Sequence, residues 1–305
     1  MTRVAAIDCG TNSIRLLVAD VDAAHKDDVH REMRVVRLGE GVDRTGSLAP
    51  QAIERTRVAL ADYAATCRDL GVARTRMVAT SASRDAENRD EFRSMVQSVL
   101  GVEPEVVTGD EEATLSFDGA TRGLDPATGP FLVMDIGGGS TELVLGTTSV
   151  TAARSVDVGC VRLTERHLHS DPPTAAEVAA AVADLDTAIA LVREVVPVEQ
   201  ARTAVGLAGS VTTVAALALG LPSYDADRIH LSVLPADDIR RVTEQLLAMT
   251  RSQRAALPVM HPGRVDVIGA GALVLRTLVD RLGLLEVLVS ESDILDGIAW
   301  SISEE

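Results

Sequence analysis

One short pattern occurs twice in this 305-residue chain, and it constrains the fold more than any other feature. Each copy is an apolar run, an aspartate, a glycine-containing turn and a second apolar run, found at Val4–Asp20 and again at Phe131–Gly146. An offset of 127 positions superposes four identical residues, which pair as Asp8 with Asp135, Gly10 with Gly137, Ser13 with Ser140, and Leu16 with Leu143. Two apolar runs around a turn predict a β-hairpin. The repetition predicts two similar halves that each begin with a hairpin.

Alternating helix and strand patterns follow both hairpins. Helical spacing of apolar residues predicts helices at 50–70, 88–100, 174–196, 235–249, 269–282 and 293–301, and a further helix that starts near Gly109–Glu112. Short β-branched runs predict strands at 74–82, 105–108 and 286–290, and ARTAVGLAGSVTTVAALALGL (201–221) predicts a strand, a glycine turn and a helix. The glycines and prolines of 123–130 are typical of a linker, which places the domains at 1–124 and 125–305. The chain is therefore predicted to be an α/β protein with layered sheets.

The charge and composition exclude several classes of partner. The chain has 45 acidic residues against 29 basic ones, a net charge of −16, and 2% aromatic residues, so we expect it to bind neither nucleic acid nor an anionic membrane. Its three cysteines, Cys9, Cys67 and Cys160, are too scattered for a disulfide framework, and no export signal or membrane span is apparent. These features predict a cytoplasmic protein. Two apolar helices in the second half offer a surface for a homodimer.

The two glycine turns are candidate phosphate cradles. Successive backbone N–H groups at Gly137, Gly138 and Gly139 can converge on an anion because no Cβ blocks the approach. Gly10, Thr11 and Asn12 offer the same arrangement with side-chain donors added. The alternative is that the glycines only permit tight hairpins, but the duplication favours the ligand-binding interpretation. If the halves face each other, both turns would project into one cleft.

Three carboxylates accompany these turns. Asp8 and Asp135 end the strands that enter them, and Glu142 follows Ser140 by two residues and so lies on the same face of its strand. Such carboxylates can hold Mg²⁺, which neutralises phosphate oxygens. Their alternative role is to accept hydrogen bonds from turn amides.

The sequence GDEEATL offers a candidate general base at the start of a helix. Asp110, Glu111 and Glu112 are typical of a first helical turn, where acidic residues complement the helix dipole. A carboxylate that activates water needs a rigid mount in a cleft, and this helix supplies one. Neighbouring positions point about 100° apart on a helix, so Glu111 and Glu112 cannot share one role. Helical geometry does not choose between them.

Four arginines are candidate anion contacts. Arg15 follows the first turn and Arg84 follows a predicted strand end, where a guanidinium can fork onto phosphate oxygens. Arg89 and Arg93 are weaker candidates, since most arginines face solvent.

Six motifs, in order along the chain, resemble one known family. They are DCGTNSIRLLVAD, ATSASRDAEN, TGDEEATLSFDGA, VMDIGGGSTELVLG, DVGCVRLTE and GLAGSVTT. Together they resemble the exopolyphosphatase and guanosine pentaphosphate phosphatase (Ppx/GppA) family of the actin, sugar kinase and heat-shock ATPase superfamily. The resemblance implies two actin-like, ribonuclease-H-like domains with mixed sheets flanked by helices and a cleft between them.

The resemblance also implies roles for individual residues. It makes Glu112, the second glutamate of the pair, the catalytic base, and it places Asp135 and Glu142 near Mg²⁺, with Asp8 as a further metal candidate. It implies that the two hairpin turns are phosphate loops, and the expected phosphate contacts are Gly10, Thr11, Asn12, Ser13, Arg15, Arg84, Gly137, Gly138, Gly139, Ser140, Gly209 and Ser210. The chain departs from the family at Leu295, where many members have an arginine in an LREG pattern.

The expected activity is an Mg²⁺-dependent exopolyphosphatase that releases the terminal phosphate of inorganic polyphosphate. Three alternatives remain: hydrolysis of guanosine pentaphosphate, a kinase or ATPase of the same superfamily, and a non-enzymatic actin-like module that binds polyphosphate or nucleotide. Gly206 and Gly209 are not adjacent, unlike the glycines of a typical adenosine-binding turn, which weighs against the kinase.

Overall fold

The computed structural model describes residues 1–304 and divides the chain into two compact units. The first unit is Met1–Gly119 together with a C-terminal helix that begins at Ile294, and the second is Ala120–Asp293. The boundary predicted at 124/125 gave this last helix to the second domain. The structure places it in the first unit, because its apolar side chains pack on the first sheet.

The first unit contains a five-stranded sheet of order β3-β2-β1-β4-β5. The strands are β1 (Thr2–Cys9), β2 (Ser13–Val21), β3 (Lys26–Val35), β4 (Arg74–Ala79) and β5 (Glu105–Val106). The helices are α1 (Val42–Thr45), α2 (Pro50–Asp69), α3 (Ser81–Asp85), α4 (Arg89–Leu100), α5 (Gly109–Thr121) and α13 (Ile294–Glu304). β1 pairs antiparallel with β2 and parallel with β4, so the sheet is mixed.

Alternating side chains of β1 supply two separate apolar cores, one on each face of this sheet. Ala5 and Ile7 pack into the core that contains α2 and α4. Val4 and Ala6 pack on the opposite face with apolar residues of α13. On that face Gly297 of α13 lies against α5, where a Cβ would overlap the carbonyl oxygen of Leu115.

The second unit contains a six-stranded sheet of order β10-β11-β9-β6-β7-β8. The strands are β6 (Phe131–Ile136), β7 (Thr141–Gly146), β8 (Val150–Val156), β9 (Thr203–Leu207), β10 (Val233–Pro235) and β11 (Glu286–Val289). The helices are α6 (Cys160–His167), α7 (Ala175–Arg193), α8 (Ala208–Ala218), α9 (Ala226–Ile229), α10 (Ala236–Ala248), α11 (Arg251–Ala255) and α12 (Ile268–Leu282). Short 3₁₀ segments occur at Pro126–Thr128, Val198–Gln200 and Pro262–Arg264.

Five strands follow the same order in both sheets, which confirms the repeat predicted from the hairpins, and β10 is an additional strand of the second sheet. β6, β7 and β9 pair as β1, β2 and β4 do: an antiparallel hairpin whose first strand also pairs parallel with a third. A third antiparallel strand, β3 or β8, extends each hairpin, and the sequence patterns missed both. None of the helices in residues 1–304 has the length and apolar character needed to cross a bilayer.

Candidate active site

The first turn, formed by Gly10, Thr11 and Asn12 between β1 and β2, is held in place by hydrogen bonds to its carbonyl groups. Gly10 N–H donates to the Ser13 carbonyl at 2.9 Å and closes the hairpin. The carbonyls of Thr11 and Asn12 accept hydrogen bonds of 2.8–3.1 Å from backbone amides of segment 36–39. In a trans peptide the C=O of one residue and the N–H of the next point in opposite directions. The N–H groups of Asn12 and Ser13 therefore point away from this segment.

The second turn, formed by Gly137, Gly138 and Gly139 between β6 and β7, is held in the same way, but here the donors belong to helix α6. Gly137 N–H donates to the Ser140 carbonyl at 3.0 Å, the counterpart of the bond in the first turn. The carbonyls of Gly137 and Gly138 accept hydrogen bonds from the first amides of α6 at 2.9–3.2 Å, and Arg162 Nε donates to the Gly139 carbonyl at 2.8 Å. By the same planarity, the N–H groups of Gly138, Gly139 and Ser140 point away from α6. Three amides on one side of a turn form an anion-binding concavity.

Two further glycines allow these braces to approach. A Cβ on Gly159 would lie 2.5 Å from the Gly138 carbonyl oxygen, so the entry to α6 can pack on the second turn only without a side chain. Gly39 plays the same part for the first turn, where a Cβ would overlap the methyl group of Thr11. Thr11 Oγ1 lies 2.9 Å from Ser81 Oγ, which ties this turn to α3.

An ion pair stands at the base of the first turn. Asp8 on β1 lies directly opposite Arg15 on β2, and Arg15 donates to Asp8 Oδ2 through Nε at 2.9 Å and through Nη2 at 2.6 Å. Asp8 is buried and the Arg15 side chain is 22% exposed. The guanidinium compensates the charge of the aspartate, and part of the Arg15 side chain reaches solvent.

Two carboxylates occupy the same positions at the second turn. Asp135 on β6 lies directly opposite Glu142 on β7, with 7% and 1% of their surfaces exposed. Next in register, Ser155 on β8 lies opposite Glu142, and its hydroxyl donates to Glu142 Oε1 at 2.6 Å. Directly opposed residues of an antiparallel pair project on the same face, where like charges are destabilising. A divalent cation would offset this repulsion, and buried carboxylate oxygens are the ligands that Mg²⁺ prefers, so these residues fit the expected metal.

The structure distinguishes the two glutamates of GDEEATL. Glu111 accepts hydrogen bonds from the N–H and hydroxyl of Thr108 at 2.8 and 3.0 Å, which lower the pKa of its carboxyl, and it caps α5. Glu112 instead is buried, and its Oε2 accepts a hydrogen bond from Arg84 Nη1 at 3.1 Å. The same Arg84 nitrogen donates to the Val107 carbonyl at 3.0 Å. Glu112 and Arg84 thus form a fixed acid–guanidinium pair, whereas Glu111 serves the helix end.

Gly209 and Ser210 open α8 directly after β9. Ala208 precedes them with φ +68°, a left-handed conformation that side chains disfavour. Arg264 lies across Gly209, where a Cβ would overlap the guanidinium, and its Nη1 donates to Thr213 Oγ1 at 3.1 Å. Arg264 makes no ion pair with any residue of the part of the chain that the structure describes. Strained backbone and an arginine at a helix start are typical of an anion site.

The sequence missed four residues that shape these turns: Gly39, Gly159, Ser155 and Arg264. Gly159 lies in the DVGCVRLTE motif, but the motif alone does not show what Gly159 packs against. The other three residues become visible only through strand register and tertiary packing. Of the weaker arginines, Arg89 is exposed at the start of α4, and Arg93 pairs with Glu103 on the protein surface. Neither Arg89 nor Arg93 takes part in the hydrogen bonds described above between Arg84, Glu112 and Val107.

Comparison with known proteins agrees with this architecture. The Ppx/GppA phosphatase family matches residues 17–304. Exopolyphosphatase 2 of Mycobacterium tuberculosis is 56% identical over 323 aligned positions, which cover 99% of this chain and 99% of that protein. The crystal structure of an exopolyphosphatase-like protein superposes with a TM-score of 0.97 at 43% identity, covering 99% of this chain and 98% of the other. The PPX-GPPA enzyme of Aquifex aeolicus gives 0.82 at 31% identity, covering 98% and 99%. The predicted α/β fold with two actin-like domains is confirmed.

Proposed function

This chain belongs to the Ppx/GppA phosphatase family, and we propose on that basis that it is an exopolyphosphatase, which hydrolyses the terminal phosphoanhydride of inorganic polyphosphate and releases orthophosphate. The observation that carries the proposal is the buried Glu112 carboxylate beside Arg84, set apart from the helix-capping Glu111.

Glu112 is proposed to take a proton from the attacking water. Its mount on α5 and its hydrogen bond to Arg84 hold the carboxylate in one orientation, which general base catalysis requires. Arg84 also places a positive charge 3.1 Å from Oε2 of the Glu112 carboxylate. The remaining guanidinium nitrogens of Arg84 can contact oxygens of the phosphoryl group as negative charge develops.

Each glycine turn is proposed to bind phosphate within its own unit. The amides of Asn12 and Ser13 in the first unit, and those of Gly138, Gly139 and Ser140 in the second, point away from their braces and supply fixed donors. Fixed amides bind phosphate without adding a long cationic side chain. This suits a chain that carries a net charge of −16 yet acts on a polyanion.

Asp135 and Glu142 are proposed to hold the Mg²⁺ on which the activity depends. When bound, Mg²⁺ neutralises phosphoryl oxygens and stabilises the leaving group. Asp8, the third expected ligand, has a different environment, because Arg15 already compensates its charge. We assign to Asp8 the support of the first phosphate turn through Arg15. We also propose a cytoplasmic location, which the three buried free thiols support.

The deciding experiment compares two adjacent substitutions. Glu112→Gln should fold normally and lose turnover by about 10²–10⁴-fold, because it removes the base and keeps the shape. Glu111→Gln is the matched control and should retain turnover within a few-fold. The assay measures orthophosphate released from polyphosphates of several lengths and from guanosine pentaphosphate, with and without Mg²⁺. Wild-type turnover in Glu112→Gln would refute the assignment, and faster hydrolysis of guanosine pentaphosphate would select the nucleotide as substrate.

A further inference from the structure

Ser155 makes a hydrogen bond that bears on the proposed metal site. It is half-buried on β8, and its hydroxyl donates to Glu142 Oε1 at 2.6 Å. Hydrogen bonds from a hydroxyl to a carboxylate are among the stronger ones in proteins, and this length is typical of them. The Ser155 hydroxyl therefore holds Oε1 of Glu142 in one orientation and uses one of its lone pairs.

The number of oxygens that a carboxylate offers distinguishes hard cations from one another. Ca²⁺ accepts six to eight ligands and commonly takes both oxygens of one carboxylate. Mg²⁺ is smaller, demands octahedral geometry, and usually takes one oxygen from each carboxylate. A hydroxyl that occupies Oε1 disfavours chelation through both oxygens of Glu142, so it lowers the affinity for Ca²⁺ more than that for Mg²⁺.

We propose that Ser155 is a positioning residue that holds Glu142 for one-oxygen coordination and thereby makes the site selective for Mg²⁺ over Ca²⁺. This inference rests on the proposed function, since it assumes that Asp135 and Glu142 bind the metal. The first unit supports the assignment by contrast. In the first unit, Asp8 lies opposite Arg15 instead of a second carboxylate. The next residue in register, on β3, is Met33, whose side chain has no hydrogen-bond donor.

Threonine is the conservative replacement for Ser155, because it keeps a hydroxyl on the same carbon. A cavity of about 210 Å³ lies beside β8, and both charged residues such as Arg154 and Asp184 and aliphatic residues such as Leu191 line it together with Ser155. Ser155→Thr therefore tests whether the hydroxyl itself is required. Thr151→Ala, at an exposed position of the same strand, controls for effects on β8.

The test measures metal binding directly, without turnover. Mn²⁺ is titrated into the full-length protein and followed by electron paramagnetic resonance, and Mg²⁺ and Ca²⁺ are then used as competitors. Substitution of groups that orient metal ligands commonly changes affinity by 10–100-fold. We expect Ser155→Ala to lower the ratio of the Ca²⁺ to the Mg²⁺ dissociation constant by about 10-fold. Ser155→Thr and Thr151→Ala should keep the ratio within about threefold of wild type.

Two results would overturn the inference, and they are distinguishable. An unchanged ratio in Ser155→Ala, with Mn²⁺ binding that Asp135→Asn abolishes, would refute the role of Ser155 and leave the proposed metal site intact. Mn²⁺ binding that survives Asp135→Asn, or no binding by the wild type, would refute the metal site and the inference together. Inhibition of orthophosphate release by Ca²⁺, stronger in Ser155→Ala than in wild type, would support selectivity in the working enzyme.

Discussion

The two hairpins have the same backbone but opposite charge at one position. In the first, Asp8 lies opposite Arg15, and in the second, Asp135 lies opposite Glu142. Arg15 and Glu142 are separated by the same 127 positions that relate the two copies. The first row of opposed residues, Asp8 and Arg15, is therefore an ion pair. The second row, Asp135 and Glu142, is a pair of buried carboxylates with a serine hydroxyl on one of them.

This difference shows how the two copies of a duplicated unit can diverge. The hydrogen bonds that shape each turn are retained, so the amides of both turns point away from their braces. Under the proposed function, the first hairpin places a guanidinium beside its phosphate turn, and the second holds Mg²⁺ beside its own.

The largest effect should follow from making the second row resemble the first. Glu142→Arg would place a guanidinium opposite Asp135, as Arg15 lies opposite Asp8, and would remove a proposed metal ligand. We expect Mn²⁺ binding to be lost and turnover to fall by at least about 10³-fold, since a bound cation contributes several kcal/mol to catalysis. Glu142→Gln is the control that removes the ligand without adding charge. Turnover within tenfold of wild type in either variant would contradict the assignment of the two rows.

The reverse experiment removes the cation of the first row. Arg15→Met would leave the buried Asp8 without its guanidinium, and breaking a buried pair costs about 3–5 kcal/mol. Because the Arg15 side chain is partly exposed, we expect about 2–3 kcal/mol by urea unfolding. The double variant Asp8→Asn/Arg15→Met should recover most of this loss. If the single and double variants were equally unstable, packing of the arginine stem would be the cause instead of charge.

An added methyl group should destabilise the braces of both turns, but only at the first turn can a second substitution relieve the overlap. Gly159→Ala would push a Cβ into the backbone of Gly138, whereas Gly39→Ala would meet the Thr11 methyl. Each should cost about 1–3 kcal/mol in the free energy of unfolding. Thr11→Ser removes the methyl and keeps the hydroxyl that lies near Ser81, so it should recover part of the loss in Gly39→Ala. Equal stability of Gly39→Ala with and without Thr11→Ser would refute this account.

The smallest effect concerns the turns that follow the central parallel strands. In the second unit Ala208 has φ +68°, whereas in the first unit Thr80 has φ −110°. Ala208→Gly should therefore stabilise the protein by about 0.5–1 kcal/mol, and Thr80→Gly should destabilise it. Thermal unfolding of both variants measures the difference. A loss of stability in Ala208→Gly would show that the methyl group contributes packing that outweighs the strain.

The sequence predicted the fold well where residues close in the chain determine structure. Both hairpins and nearly all long helices lie where the apolar patterns predicted them. β3 and β8 were missed because they are partly exposed strands with polar side chains, as in KDDVHREMRV, and lack a continuous apolar run. Strand 74–82 was predicted three residues too long, because Ser81–Asp85 turns into a helix.

The candidate site was predictable only in part. The motifs supplied the turns and the acidic residues, but helical geometry left Glu111 and Glu112 equivalent, and the cap made by Thr108 separates them. Ser155 contacts Glu142 through strand register, which a sequence pattern does not encode. Arg264 reaches Gly209 from a segment more than fifty residues away along the chain.

The C-terminal helix determines the order in which this protein can assemble during synthesis. α13 covers one face of the first sheet, yet it emerges from the ribosome only after the whole second unit has been made. At ~5–20 residues per second that delay is roughly 10–35 s. Throughout this interval one apolar face of the first sheet is uncovered, whereas the second unit, which is one continuous segment, can already fold. The part translated first is thus the part completed last, and a chaperone would find its target there.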